Sequence, residues 1–368
     1  MMTNNISFYI HIPFCVKKCD YCAFYSLPNQ SDEVKLSYFE SLYRQISLFP
    51  TDRTVITVYF GGGTPPLLGI DRLCKLISLI RTRFTLADDC EITVEINPGT
   101  VDFEDLKALK KAGVNRLSVG VQSSDDEVLA SIGRIHSFAQ AKECIENARR
   151  AGFDNISADL IFALPYQSFE AFEKSVYDIM STEVDHISAY SLQVEEGTPI
   201  FERRNSLILP DEEGEERQYE ALVKILTENG FTHYEISSFS KNGKRSRHNM
   251  TYWACSEYFG FGAAAHSFYN GRRFSAVADV SEYIEKSKYS LLSPTDYDNS
   301  EPISDVEAEE ERIMLGLRTD NGAAIPENKY AIAERIVRLG YGRLENGVLT
   351  LNSKGFRVSN EIISEILI

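Results

Sequence analysis

Cys15, Cys19 and Cys22 crowd three thiols into eight residues, in the spacing C-x3-C-x2-C. Three thiolates on one tight loop can hold three irons of a cubane iron–sulfur cluster, and the fourth iron then keeps an open coordination position. A structural zinc site asks instead for a closed shell of four ligands. No further Cys or His lies nearby after Cys22, and position 24 is Phe24. The other four cysteines, Cys74, Cys90, Cys144 and Cys255, are scattered and read as structural thiols. An odd total of seven in a chain of this length does not suggest a disulfide framework.

Further residues of chemical promise sit singly along the first half. The run Gly61-Gly62-Gly63-Thr64-Pro65 lets a backbone approach a ligand closely and offer it amides and carbonyls. Glu95 stands in VEINPGT and Asp159 within the apolar stretch ISADLIFALP, where a carboxylate is costly unless it is paired or hydrogen-bonded. Gln122 ends SVGVQS, and Arg134, in GRIH, suits a carboxylate because its guanidinium binds one bidentately.

These residues need a scaffold that gathers them. Apolar, β-branched or aromatic runs occur at Ser7–Ile12, Val55–Phe60, Glu91–Ile96, Arg116–Val121, Ile156–Ile161 and His186–Leu192. Helix-period stretches fall between them at Val34–Leu48, Ile70–Arg83, Phe103–Ala112, Phe138–Ala151 and Phe169–Met180, with Gly113 and Gly152 where helix C-caps belong. Such alternation implies α/β class and a parallel sheet with right-handed crossovers. A doubly wound sheet also fits the pattern. However, Cys15, Gly61–Pro65, Glu95, Gln122, Asp159 and Leu192 all fall at or near the C-terminal ends of six successive strands. Those ends converge on one mouth in a β/α-barrel, so six units predict a partial, open (β/α)6 TIM-like barrel.

Beyond Leu192 come the loop EEGTP, an acidic helix from near Asp211, and a connecting region rich in Gly and aromatics at Tyr234–Ser240 and His248–His266. The composition turns polar from Ser293 to Glu301, as in a linker. Helices near Glu307–Leu317 and Asn328–Leu339, a hairpin from Leu344 to Leu351 across Glu345-Asn346-Gly347, and a last helix predict a small α+β, winged-helix-like domain. The expected division is a barrel over 1–245, a connector over 246–295 and a C-terminal domain over 296–368. The formal charge of −16, from 38 basic and 54 acidic residues, argues against a nucleic-acid footprint. No apolar run reaches the roughly 20 residues of a membrane span. The N-terminal stretch MMTNNISFYIHIPF lacks the basic start and long apolar core of a signal peptide. A cytoplasmic protein with at most peripheral membrane contact is expected.

The pattern C-x3-C-x-aromatic-C at the end of a first strand resembles the signature of radical-SAM proteins. The resemblance implies a 4Fe-4S cluster on Cys15, Cys19 and Cys22 whose open iron is chelated by the amino and carboxylate groups of S-adenosylmethionine (SAM). In that family an electron from the cluster splits the sulfonium, while the protein positions the cofactor and excludes water. It further implies that Tyr21 lies against the adenine and Tyr9 beside the cluster and sulfonium. Gly62, Gly63 and Thr64 would hold the amino group. Glu95, Gln122, Arg134 and Asp159 would hold the methionyl carboxylate and ribose hydroxyls, with Leu192 completing the SAM site.

Nearly the whole chain resembles the oxygen-independent coproporphyrinogen III oxidase-like group of that superfamily. The oxidase carries a further cysteine two residues after the third cluster cysteine, where this chain has Phe24. The segment Arg247-His248-Asn249-Met250-Thr251-Tyr252-Trp253 matches the H-N-x-x-Y-W motif of heme chaperones of the HemW type. This implies heme binding, with His248 as axial iron ligand and Trp253 against the porphyrin. His266, in a following segment that also resembles those chaperones, is a second candidate. The expected function is heme delivery to an acceptor protein, with an electron donor as a further partner. The alternatives are coproporphyrinogen III oxidation or another radical-SAM reaction on a tetrapyrrole. No catalytic residue is assigned.

Overall fold

Six segments alternating apolar and polar residues form the parallel strands that carry the site. The computed structural model describes residues 4–289 and 291–368; the first three residues of the N-terminal stretch lie outside them. The strands are β1 (Asn5–Ile12), β2 (Thr54–Gly62), β3 (Leu86–Ile96), β4 (Arg116–Gln122), β5 (Ile156–Phe162) and β6 (His186–Ser191). They pair in that order, each parallel to the next. Phe8 and Ile10, Val58 and Phe60, Val94, Leu117 and Val119, and Leu160 are buried in the main apolar core against the helices. The residues between them, among them Tyr59, Glu95, Arg116, Ser118, Asp159 and Ser188, line a cavity. Parallel sheets covered by helices on both faces read as continuous apolar runs. This one has helices on one face and curls the other round a polar lumen.

The helices that close each unit start and stop on local signals. Phe103–Ala112 begins at Asp102, which forms a capping box with Asp105, and ends at Gly113 in the left-handed region, φ 112°. A short helix absent from the sequence expectation, Asp126–Ser131, is capped by Asp125. The backbone N–H of Arg134 bonds to Leu129 O at 3.0 Å, so this helix fixes where the arginine emerges.

Among the described residues the sheet has twelve strands, and its two ends do not pair with each other, so the barrel is open. Tyr258–Phe261 pairs parallel to β1, a seventh parallel strand in the segment YFGF. His266–Tyr269, Arg272–Ser275 and Glu301–Pro302 continue antiparallel from it. Ser238–Ser240 and Thr232–Glu235 extend the β6 edge antiparallel. The stretch expected as a linker is packed instead: Tyr297 is 7% exposed and its ring lies 4.5 Å from that of Phe274. Its polar composition hides one anchoring aromatic.

A second core gathers Ile313, Leu317, Ile336, Leu349, Phe356 and Ile366. It holds an antiparallel sheet of Ala323–Ala324, Val348–Leu351 and Gly342–Glu345. The helices around it are Asp305–Gly316, Tyr330–Arg338 and a terminal pair, Ser353–Arg357 and Ser359–Leu367. Arg245 ties this body to the barrel through a two-pronged pair with Asp320 at 2.8 and 2.5 Å. Among the described residues no helix is long and apolar enough to cross a membrane.

Candidate functional site

The cysteine loop leaves β1 and is stitched to the glycine run after β2. Gly63 N–H donates to Ile12 O at 2.9 Å and Thr64 N–H to Phe14 O at 2.8 Å. A side chain at Gly63 would put its Cβ 2.7 Å from Phe14 O and 3.0 Å from the Cys15 Sγ, and one at Gly62, at φ 112°, would run into the His11 ring. Only glycines allow this approach. Cys15, Cys19, Cys22, Tyr21, Gly62 and Gly63 then border a cavity of about 550 Å³ at the C-terminal mouth of the barrel.

A chain of hydrogen bonds joins two of the thiols around that mouth. Arg134 donates to the Cys19 Sγ at 3.5 Å and to Asn97 Oδ1 and Gly120 O, each at 2.6 Å. Asn97 donates to Thr64 Oγ1 at 2.7 Å, and Thr64 donates to the Cys15 Sγ at 3.9 Å. Burial pushes the Cys15 and Cys22 thiols up, so metal binding must displace their protons. Among the described residues no three His, Cys, Asp or Glu groups converge as they would on a single ion. A cubane asks each thiolate for a different iron, and the free, half-buried sulfurs of the loop suit that chemistry.

Behind the mouth the lumen is acidic and desolvated. Glu95 accepts from Tyr59 OH at 2.8 Å and from Gly62 N–H at 3.1 Å. Burial pushes its carboxyl up to about 7 against those donors. Asp159 accepts from Ser118 at 3.2 Å, and burial pushes it up to about 6 against the pull of Arg116. Gln122 closes β4 with φ 69°. That conformation is costly for a residue with a side chain and tends to mark a functional position. Tyr21 and Leu192 pack on a small apolar patch of Val128, Ile132, Ile161 and Leu164, a seat suited to a flat apolar group. The structure thus gathers Tyr21, Gly62, Gly63, Thr64, Glu95, Gln122, Arg134, Asp159 and Leu192 around one cavity with the three cysteines. The Nε of Arg134 is a buried donor without a partner in the described protein, as a guanidinium awaiting an anion should be.

Two groups escape the sequence expectation. Asn97 bridges Arg134 to Thr64. Arg116 is 2% exposed, lines the lumen, and its Nε has no hydrogen-bond partner among the described residues. Its signal was an arginine in the alternation RLSVGVQ. Tyr9 does not border the large cavity. It stacks beside Tyr59 at 6.2 Å and faces a second cavity of about 470 Å³.

The structure places His248, the expected axial ligand, inside the protein. His248 is 1% exposed, with Nδ1 on Thr57 Oγ1 at 2.8 Å and Nε2 on Tyr252 OH at 2.7 Å. Burial pushes it down to about 3, so the ring is neutral with both nitrogens engaged. Nor does it converge with Trp253. Five residues apart on a helix, the two point about 140° apart, and Trp253 borders a third cavity with Arg312 and Ile313 of the C-terminal body. Replacing His248 by alanine should therefore destabilise the fold by about 2–4 kcal/mol, a cavity plus two stranded hydroxyls. Thermal denaturation reads this, and an unchanged midpoint would contradict the anchoring role.

Residues 9–179 match the radical SAM superfamily. The chain is 34% identical to the heme chaperone HemW of Lactococcus lactis, over 100% of this chain and 99% of that one. It is 38% identical to HemW of Bacillus subtilis, over 93% and 88%. It is 34% identical to the mitochondrial radical S-adenosyl methionine domain-containing protein 1 of Bos taurus, over 87% and 74%. Among solved structures, the coproporphyrinogen III oxidase HemN of Escherichia coli, a radical SAM enzyme, superimposes with a TM-score of 0.84. That match covers 99% of this chain and 90% of that one at 19% identity, which shows a common fold.

Proposed function

The chain belongs to the radical SAM superfamily and, within it, to the HemW family, and from that premise we propose that it is a heme chaperone. It binds heme and passes it to an acceptor protein, with a 4Fe-4S cluster and SAM as resident cofactors and a separate protein as electron donor. When bound, the cluster supplies a one-electron centre with one open iron position. Cys15, Cys19 and Cys22 hold the cluster. Arg134, kept in place by Asn97 and Gly120 O, clamps the methionyl carboxylate of SAM. Ionised Glu95 and Asp159 accept its hydroxyls, and Tyr21 and Leu192 cover its base.

The observation that carries chaperoning over coproporphyrinogen oxidation is Phe24. It stands where the oxidase of the wider group has a cysteine, and it presents a 71% exposed ring at the edge of the cluster cavity. A phenyl ring can neither donate nor accept the proton or hydrogen atom that a thiol could. The reconstituted protein should bind heme stoichiometrically, seen as a saturating Soret band. It should not convert coproporphyrinogen III to protoporphyrinogen IX under anaerobic, reducing conditions with SAM. Steady conversion would overturn the assignment.

A further inference from the structure

We propose that the heme seat is the second cavity, with His266 as axial ligand of the iron, and that His248 serves it only by positioning Tyr252. This rests on the heme-chaperone reading and gives it a place in the molecule. The cavity of about 470 Å³ is walled by aromatic rings, among them Tyr9, Tyr25, Tyr252, Tyr258 and Phe268. Its volume is within the roughly 300–1,000 Å³ of cofactor sites, and ring faces and edges suit a flat macrocycle.

Axial coordination needs an imidazole nitrogen with a free lone pair and access to solvent. The chain has six histidines. His11 is bonded to Tyr9 OH and Tyr25 O, His186 to Ser157 and Tyr234, His233 to Ser353 and Ile236 O, and His248 to Thr57 and Tyr252. His136 is 6% exposed and bonded to Val121 O. His266 alone is exposed, and among the described residues its ring makes no hydrogen bond. It opens the strand His266–Tyr269 and borders the second cavity together with His11.

The other polar groups on the wall are already engaged. Arg273 is held by Glu311 at 3.1 and 2.5 Å, and burial pushes the Cys255 thiol up, away from the thiolate an iron would want. Tyr252 is the member of the HNMTYW segment that reaches this cavity, and the 2.7 Å bond from its hydroxyl to His248 Nε2 fixes its ring. Ala23 and Phe24, on the loop that follows Cys22, border both cavities. The seat therefore shares a wall with the cluster site, so cofactor occupancy on one side can shape the other.

The test is a titration of the cluster-reconstituted protein with ferric heme, followed in the Soret region. His266→Ala should lose at least tenfold in affinity and shift the band, and added imidazole should restore the wild-type spectrum. His248→Gln should keep the band position while weakening binding less, and Cys74→Ser, away from the cavity, should change neither. An unaltered spectrum and affinity in His266→Ala, or a loss that imidazole does not repair, would remove the iron from this seat. A wild-type protein that takes up no heme would instead overturn the chaperone reading itself.

Discussion

Cys19→Ala should abolish the oxygen-sensitive 4Fe-4S signal completely, and Cys15→Ala and Cys22→Ala should do the same. Two thiolates hold a cubane poorly, and among the described residues the cavity lining carries no fourth cysteine. The Cys19 Sγ already accepts from Arg134 and the Cys15 Sγ from Thr64, the sort of donor that steadies a sulfur ligand from outside the metal shell. The same logic spares the other thiols. Cys90 and Cys144 are buried in the apolar core, and Cys74 donates to Ala108 O at 3.7 Å, away from the mouth. Iron and sulfide content after anaerobic reconstitution, with the visible spectrum, gives the answer. Full iron loading in Cys19→Ala would sink the cluster site.

What the sequence made legible follows from period and end position. Apolar, β-branched and aromatic runs such as SFYIHI, RLSVGVQ, ISADLI and HISAYS placed the strands and put Glu95 and Gln122 at or near their C-terminal ends, with Asp159 in mid-strand. The polar and apolar alternation within these runs, which went unused, is itself a sign of a polar lumen, because a parallel strand with helices on both faces has no use for it. Arg116 and Ser118 could have been assigned to the lumen on that ground. Asn97 could not, since its role depends on the distance to Arg134 across two strands. The surroundings of His248 were out of reach for a related reason. A histidine followed four residues later by a tyrosine is a helix i,i+4 pair, and here the tyrosine takes the very nitrogen an iron would need. The strand Tyr258–Phe261 stayed hidden because four residues with a central glycine carry little pattern.

SAM affinity should fall by about 1–3 kcal/mol on Arg134→Ala, the usual loss for a charged hydrogen-bond partner, and should also fall with pH below about 7 in the unaltered protein. Arg134 is the larger case because its removal strands Asn97 and Gly120 O as well as the ligand carboxylate. The pH effect follows from two carboxyls held high by burial, Glu95 at about 7 and Asp159 at about 6. SAM hydroxyls need acceptors, so binding favours the ionised forms. Above about 7 both groups are already ionised and affinity is flat. Below it each must give up a proton on binding, which lowers affinity by up to about tenfold per pH unit for each group. Arg116 faces both acids and pulls both down. Arg116→Met should therefore move the onset of the fall to higher pH, whereas Glu95→Gln should remove the upper part of the dependence and weaken binding throughout. Equilibrium SAM binding to the reconstituted protein between about pH 5.5 and 8 decides it. A flat profile in the unaltered protein would mean that neither carboxylate meets the cofactor. An unshifted profile in Arg116→Met would mean that its guanidinium does not set the field of the lumen.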